Sequence, residues 1–289
     1  MYICLRDGTN VYDVPDSIST PSGNNYELGE RIGGGGNGAV YECIDRSGNT
    51  LAIKFLLRFS QKSEARFKQE TTILKKVNSP HIIKYIDDGC ITGHTVRYNK
   101  VTDTVKEILF VVMEKADCNL AEYLKREETL VPYEVYAGQF RGLCEALAEL
   151  HQYAIHRDIK PENILVKGEK WILSDFGLCQ AVLPEERIDV TDYNEKIGPA
   201  FWMSPEAIDR YYFGGSDIAA CSDVYQLCAI FAFVLTKHYP GGIIVDQSAL
   251  NTTPELSALI LNSLSNSTAL RPKDGGELLN CYNEATYAI

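Results

Sequence analysis

The sequence predicts an α+β protein of two lobes, a small β-rich one carrying one main helix and a larger, mainly helical one. At 289 residues and 32.3 kDa the chain passes the size at which one core stops growing, so two packed lobes are expected. Short β-like runs over 26–32, 40–44 and 51–56, separated by turns such as Arg46-Ser47-Gly48-Asn49, make the first part a hairpin-rich sheet. After Asp117, Phe140, Leu143, Leu147 and Leu150 repeat at helical spacing, and helical segments recur to the C-terminus.

In chain order, residues 1–25 are rich in Gly, Ser, Asn, Asp and Pro and read as an irregular lead-in. The folded domain is expected over 26–289, its first lobe over 26–116 and its second over 117–289. One helix interrupts the sheet: Phe67, Glu70, Leu74 and Val77 fall three and four apart, so one glutamate points where apolar residues point. Residues 92–107 are polar and read as an enlarged hairpin loop ahead of the strand at 109–113.

Hydrophobic residues make up 45% and charged residues 23%, enough apolar material for a sizeable core. The formal charge, 28 − 39 = −11, argues against a broad nucleic-acid or anionic-membrane surface. The nine cysteines include no CxxC pair, so they read as reduced apolar fillers rather than a disulfide framework or zinc site. The N-terminus lacks a basic segment followed by an apolar stretch, and the apolar run at 227–235 is too short to span a bilayer. A soluble cytoplasmic protein without anchor or sensor is expected.

Gly33-Gly34-Gly35-Gly36-Asn37-Gly38-Ala39-Val40 contains G-x-G-x-x-G-x-V, in which missing side chains let backbone N–H groups close over a polyphosphate. The same glycines also suit a plain turn or a dinucleotide fold. A strand and hairpin follow the loop, not a helix, so the dinucleotide reading fails its context. Lys54 lies inside an otherwise apolar strand, where a desolvated ammonium needs a phosphate and a carboxylate. Glu70 on the apolar helix face is the candidate. Glu64, nearer the helix start where acids complement the dipole, is the rival.

His156-Arg157-Asp158-Ile159-Lys160-Pro161-Glu162-Asn163 and Ser174-Asp175-Phe176-Gly177 follow in order. With the glycine loop and Lys54 they resemble the eukaryotic-type protein kinase signature set, from about Tyr26 to Leu279. The resemblance implies the bilobal protein kinase fold, with ATP and Mg²⁺ as cofactors and a protein as substrate. It implies that Asp158 orients the attacking hydroxyl and accepts its proton, and that Asn163 and Asp175 hold Mg²⁺. Lys54, paired with Glu70, grips the α- and β-phosphates, and Lys160 reaches the transferred phosphoryl group. Ile32, Gly33, Gly35, Gly38, Val40, Ala52 and Leu165 match the nucleotide-enclosing positions, though the apolar ones also read as plain core. Met113, Glu114 and Ala116 match the hinge, with Met113 facing the adenine pocket and backbone groups of Glu114 and Ala116 reading the base.

Gly198-Pro199-Ala200-Phe201-Trp202-Met203-Ser204-Pro205-Glu206 resembles the end of an activation segment, with Ser204 in place of the usual alanine. Arg271 matches the arginine that pairs with this glutamate, and Asp223 matches the aspartate anchoring the catalytic loop. The acceptor signals conflict. Lys160 is the serine/threonine form, whereas Pro199 stands where such kinases have threonine and resembles the PxxW platform of tyrosine kinases. Serine/threonine is expected because the lysine acts directly on the phosphoryl charge, with tyrosine or dual specificity as the alternative. Thr191 and Tyr193 are candidate activating phosphosites for pairing with Arg157, in a segment also rich in Glu185, Glu186, Asp189, Asp192 and Glu195. A pseudokinase scaffold is disfavoured by the full parts list, and a small-molecule phosphotransferase by the glycine loop and SPE segment. The compact form is similar to eukaryotic-like kinases carried by bacteria or their viruses.

Overall fold

The computed structural model describes residues 1–127, 129–183, 201–214, 218–240 and 250–287. The chain divides into two compact units, Met1–Lys75 with Lys84–Lys115, and Lys76–Ile83 with Ala116–Ile289.

The first unit is a sheet with one helix. Its strands are β1 (Tyr2–Ile3), β2 (Tyr12–Asp13), β3 (Ser17–Ser19), β4 (Asn25–Gly34), β5 (Gly38–Asp45), β6 (Thr50–Leu56), β7 (Tyr85–Arg97) and β8 (Lys100–Glu114). They pair antiparallel in the order β1-β2-β7-β8-β6-β5-β4-β3. The predicted runs fall in β4, β5, β6 and β8. Two expectations are corrected. Residues 92–107 are not a loop: β7 and β8 pair up to a two-residue turn at Tyr98 and Asn99, whose φ values of 51° and 59° match the twist of a tight hairpin. Residues 1–25 are not irregular: they supply β1, β2 and β3, at both ends of the sheet.

That placement bends the sheet. β2 and β3 stand six positions apart, about 29 Å in a flat sheet at roughly 4.8 Å per strand. Only Val14, Pro15 and Asp16 join Asp13 to Ser17, a reach of at most about 15 Å. The sheet must therefore curl nearly round on itself. Asp87 on β7 closes it: its Oδ2 accepts hydrogen bonds from Thr20 Oγ1 (2.7 Å), Ser22 Oγ (2.6 Å), Asn24 Nδ2 (2.9 Å) and Tyr26 OH (3.2 Å). Inside the curl lies one apolar core to which residues 1–25 contribute Ile3, Leu5, Tyr12, Val14 and Ile18, packed with Tyr41, Ile53, Phe55, Phe110 and Val112.

Strand parity then separates two faces. Paired residues point the same way, as do residues two apart. Val40 pairs with Lys54 and Ala52 with Met113, so all four share the face opposite the core. Helix α1 (Gln61–Lys76) lies on that face, since its Glu70 meets Lys54. Ser60 starts the helix: its Oγ accepts the Ser63 N–H at 3.0 Å. The helix stops one residue short of Val77, ahead of Pro80, which disfavours helical backbone at Ser79.

The second unit is mainly helical: α2 (Leu120–Arg126), α3 (Tyr133–Leu150), α4 (Pro205–Phe213), α5 (Ala220–Thr236), α6 (Pro254–Ser263) and α7 (Gly275–Tyr287). β9 (Cys118–Asn119), β11 (Ile164–Lys167) and β12 (Lys170–Leu173) form a small sheet, and β10 (Ala154–Ile155) pairs with β13 (Gln180–Ala181). α5 is apolar nearly all round and accordingly buried, with Phe231 stacked on Phe140 of α3 at 3.8 Å. Gly142 on α3 is required by close approach: a Cβ there would lie 2.2 Å from the His81 ring. Among the described residues no helix is long and apolar enough to cross a membrane.

Asp87→Ala is expected to lower the stability of the chain by about 2–3 kcal/mol in denaturant unfolding, because the buried Thr20 and Tyr26 hydroxyls lose a charged acceptor. Burial alone would raise the Asp87 carboxyl, but the Ser22, Asn24 and Thr20 hydrogen bonds hold it below the usual aspartate value. Its contribution is therefore present above the unfolded pKa and disappears as pH falls through the depressed native one. The variant's acid-unfolding curve should be correspondingly flatter than that of the parent.

Candidate active site

Between β10 and a 3-10 turn at Pro161–Asn163 the chain bends sharply, with Arg157 at φ 69°. Left-handed backbone at a non-glycine residue needs external support. Asp223, fully buried on α5, supplies it: its carboxylate accepts the His156 N–H at 2.6 Å and the Arg157 N–H at 2.8 Å. His151 adds a third donor. Its Nδ1 accepts the Gly275 N–H at 2.8 Å, so Nε2 carries the proton and donates to Asp223 at 3.0 Å. Gln226, one helical turn beyond Asp223, accepts the Ile159 N–H at 2.9 Å.

This bend sets the side chains on opposite errands. His156 turns inward, 5.3 Å from the Phe176 ring and bonded through Nε2 to the Ser174 carbonyl at 3.1 Å. Asp158 meets the Lys160 ammonium at 2.7 Å, and the Asn163 amide nitrogen donates to its Oδ2 at 2.9 Å and its carbonyl at 2.8 Å. Burial pushes the Asp158 carboxyl up, Lys160 opposes this, and nearby Asp175 adds to it.

The hairpin of β11 and β12 explains why Asn163 and Asp175 come together. Ile164 pairs with Leu173, so the residues just outside face each other, and the Asn163 carbonyl accepts both the N–H (2.9 Å) and the hydroxyl (2.9 Å) of Ser174. Asp175, at φ 61°, then turns to the surface between buried Ser174 and Phe176. With the Asn163 amide nitrogen already donating, its oxygen and the Asp175 carboxylate are the hard donors that could hold Mg²⁺. Two such ligands suit an ion that keeps water and phosphate in its remaining positions.

In the first unit Lys54 Nζ lies 2.6 Å from Glu70 Oε1, both largely buried. Glu64 sits in the first turn of α1. A Cβ at Gly38 would fall 2.2 Å from the Phe55 carbonyl, so only glycine allows β5 this close to β6. At Gly35 or Gly36 a Cβ would meet nothing within 4 Å, and the Gly35 N–H donates to the Gly38 carbonyl across the loop at 3.0 Å. Gly33 pairs with Val40, and Ile32 is 44% exposed on β4. The Glu114 N–H donates to the Lys84 carbonyl at 3.0 Å. Ala116 and Leu165 belong to the second unit, Leu165 within β11.

Arg271 holds Glu206 through both nitrogens, at 2.7 and 3.0 Å, and Ser222 Oγ adds a bond at 2.5 Å. Burial alone would raise the Glu206 carboxyl, yet these partners keep it below the usual value. Trp202 is buried, with its ring 5.1 Å from Tyr239 and edge-on to Phe233. Pro199, Thr191, Tyr193 and the acidic residues around them lie outside the described residues. Gln226 and His151 are the site residues that sequence reasoning missed. Their signal was a polar side chain on or beside a buried apolar helix, where it must find a partner.

Against known proteins, the family model described as protein kinase domain matches residues 26–269. The chain belongs to that family. It is 29% identical over 227 residues (77% of this chain, 40% of the relative) to a protein described as a probable serine/threonine-protein kinase in Dictyostelium discoideum. Cyclin-dependent kinase F-4 of Oryza sativa subsp. japonica is 28% identical over 231 residues (77% of this chain, 44% of the relative). A probable serine/threonine-protein kinase of Clostridium perfringens is 30% identical over 224 residues (75% and 30%). The chain thus spans less than half the length of each of these relatives.

Ser204 is fully buried, and among the described residues its hydroxyl has no hydrogen-bond partner. Ser204→Ala should therefore raise the stability of the chain by about 1 kcal/mol, read as a higher unfolding midpoint, by removing a desolvated polar group.

Proposed function

We propose that this chain is an ATP-dependent protein kinase that transfers the γ-phosphoryl group to serine or threonine hydroxyls of proteins. The observation that carries it is the group around Asp158: a buried carboxylate, raised toward basicity, in contact with a lysine and an asparagine, with Asp175 close by. Phosphoryl transfer needs positioning and charge neutralisation more than covalent chemistry, and this set provides both. Asp158 orients the acceptor hydroxyl and takes its proton as that oxygen bonds to the γ-phosphorus and the bond to the β,γ-bridging oxygen breaks, releasing ADP. Lys160 offsets the negative charge that spreads over the transferred group. Asn163 and Asp175 hold Mg²⁺, which when bound neutralises the phosphate oxygens.

Lys54, steadied by Glu70, grips the α- and β-phosphates, and the backbone of Gly33, Gly35 and Gly38 closes over them. Ile32, Val40, Ala52, Met113 and Leu165 enclose the adenine, whose edge is read by the backbone of Glu114 and Ala116. Serine and threonine are favoured because Lys160 contacts the base directly and because two of the relatives above carry that acceptor in their names. The chain also phosphorylates itself in the segment bearing Thr191 and Tyr193. Its nine free cysteines suit a reducing cytoplasm.

Incubation with ATP and Mg²⁺ followed by phosphoamino-acid analysis should yield phosphoserine or phosphothreonine, with phosphotyrosine alone reversing the acceptor assignment. Asp175→Ala should abolish the label while the chain stays folded at the assay temperature, since the carboxylate is exposed; full labelling by the variant would remove Asp175 from the reaction.

Asp158 must be ionised to accept a proton, so activity is lost as pH falls through its carboxyl pKa, which burial raises above the ordinary aspartate value. The Lys160 cation pulls that pKa down. Lys160→Met should therefore slow transfer and move the acid limb of the rate profile to higher pH; an unmoved limb would detach Lys160 from the base.

A further inference from the structure

Residues 57–60 join the strand that carries Lys54 to the helix that carries Glu70. This connection is held on two sides. The N–H groups of Leu57 and Arg58 donate to the Asn37 carbonyl in the glycine loop, at 2.9 and 3.1 Å. The Leu57 carbonyl accepts the side-chain amide of Asn10 at 2.9 Å. Phe59 is held likewise: the Tyr12 ring meets it edge-on at 5.5 Å, and the Lys106 ammonium stands 5.9 Å from its centroid. Asn10 and Tyr12 both come from the N-terminal strap that curls the sheet. The backbone of Asn10, at φ 50°, is left-handed, a conformation asparagine tolerates better than most residues.

We infer that Asn10 is a positioning residue for nucleotide binding: through the Leu57 carbonyl it fixes the 57–60 connection, and through that both the glycine loop and the Lys54–Glu70 pair. This rests on the reading of those groups as an ATP site. The logic is mechanical. One backbone segment touches all three parts of the phosphate grip, so whatever fixes it sets their mutual distances. The strap reaches it with a directional hydrogen bond rather than general packing. Any event that lifts the strap therefore weakens the grip on phosphate without touching a residue of the site.

The strap has a second anchor in Ser22, whose hydroxyl bonds Asp87 on β7 rather than the 57–60 connection, and this permits a discriminating experiment. A fluorescent ATP analogue with Mg²⁺ is titrated into the full chain and three variants, well below each unfolding midpoint. Asn10→Asp keeps size and backbone preference but turns a donor into an acceptor facing a carbonyl. Asn10→Gly keeps the left-handed backbone and removes the side chain. Both are expected to weaken analogue binding about fivefold or more. Ser22→Ala is expected to lower the unfolding midpoint while binding as the parent does. Parent-like affinity in both Asn10 variants would overturn the proposal, as would equal weakening by all three in step with lost stability, which would make the strap mere scaffold. A parent chain that binds no analogue would sink the kinase reading itself, and this proposal with it.

Discussion

The buried carboxylate of Asp223 accepts the N–H groups of His156 and Arg157 and so holds Arg157 in a left-handed bend that costs a non-glycine residue about 1–2 kcal/mol. That bend is what sends His156 inward and Asp158 toward Lys160 and Asn163. A carboxylate with no exposure is itself costly unless fully hydrogen-bonded, and His151 completes the set. Charge and strain thus stabilise each other: neither the buried anion nor the bend would persist alone. Gln226 extends the grip to Ile159, so one turn of α5 holds three backbone N–H groups of the loop, those of His156, Arg157 and Ile159.

The first unit reaches a comparable result by parity. Apolar residues of one parity along β5, β6 and β8 fill the core that the strap covers. The other parity presents Val40, Ala52, Lys54 and Met113 to the face where α1 lies. A one-residue slip of β6 would bury Lys54 in that core and expel Phe55 or Ile53. Register is consequently under heavy selection by burial alone, and the position of the lysine follows from it.

The contacts among charged side chains were the most legible part of the sequence, because each charged residue sits in a short segment whose spacing limits what it can reach. Asp158, Lys160 and Asn163 lie within six residues of one another, and the structure brings them into contact. Lys54 and Glu70 were readable because each is an ionic residue among apolar ones, and such a residue demands a partner. The strap was not read because its strands are two or three residues long, below the length at which alternation stands out. A clue did exist: the run Leu51-Ala52-Ile53-Lys54-Phe55-Leu56 is apolar on both parities, the mark of a strand covered on both sides. Something had to cover the second side. The β7–β8 extension was missed because its residues are polar, and backbone pairing to a tight turn leaves little trace in side-chain pattern.

The strap also bears on how the molecule meets others. Long strands such as β4 and β7 would, if left at the margin of a sheet, offer rows of unsatisfied amide and carbonyl groups to any extended peptide nearby. Here β3 pairs with β4 at residues 25–27 and β2 pairs with β7 at residues 94 and 95, so each long strand is covered along part of its length. Curling the sheet onto its own first residues thereby shortens the margin open to the stacking of strand on strand through which β-rich proteins aggregate.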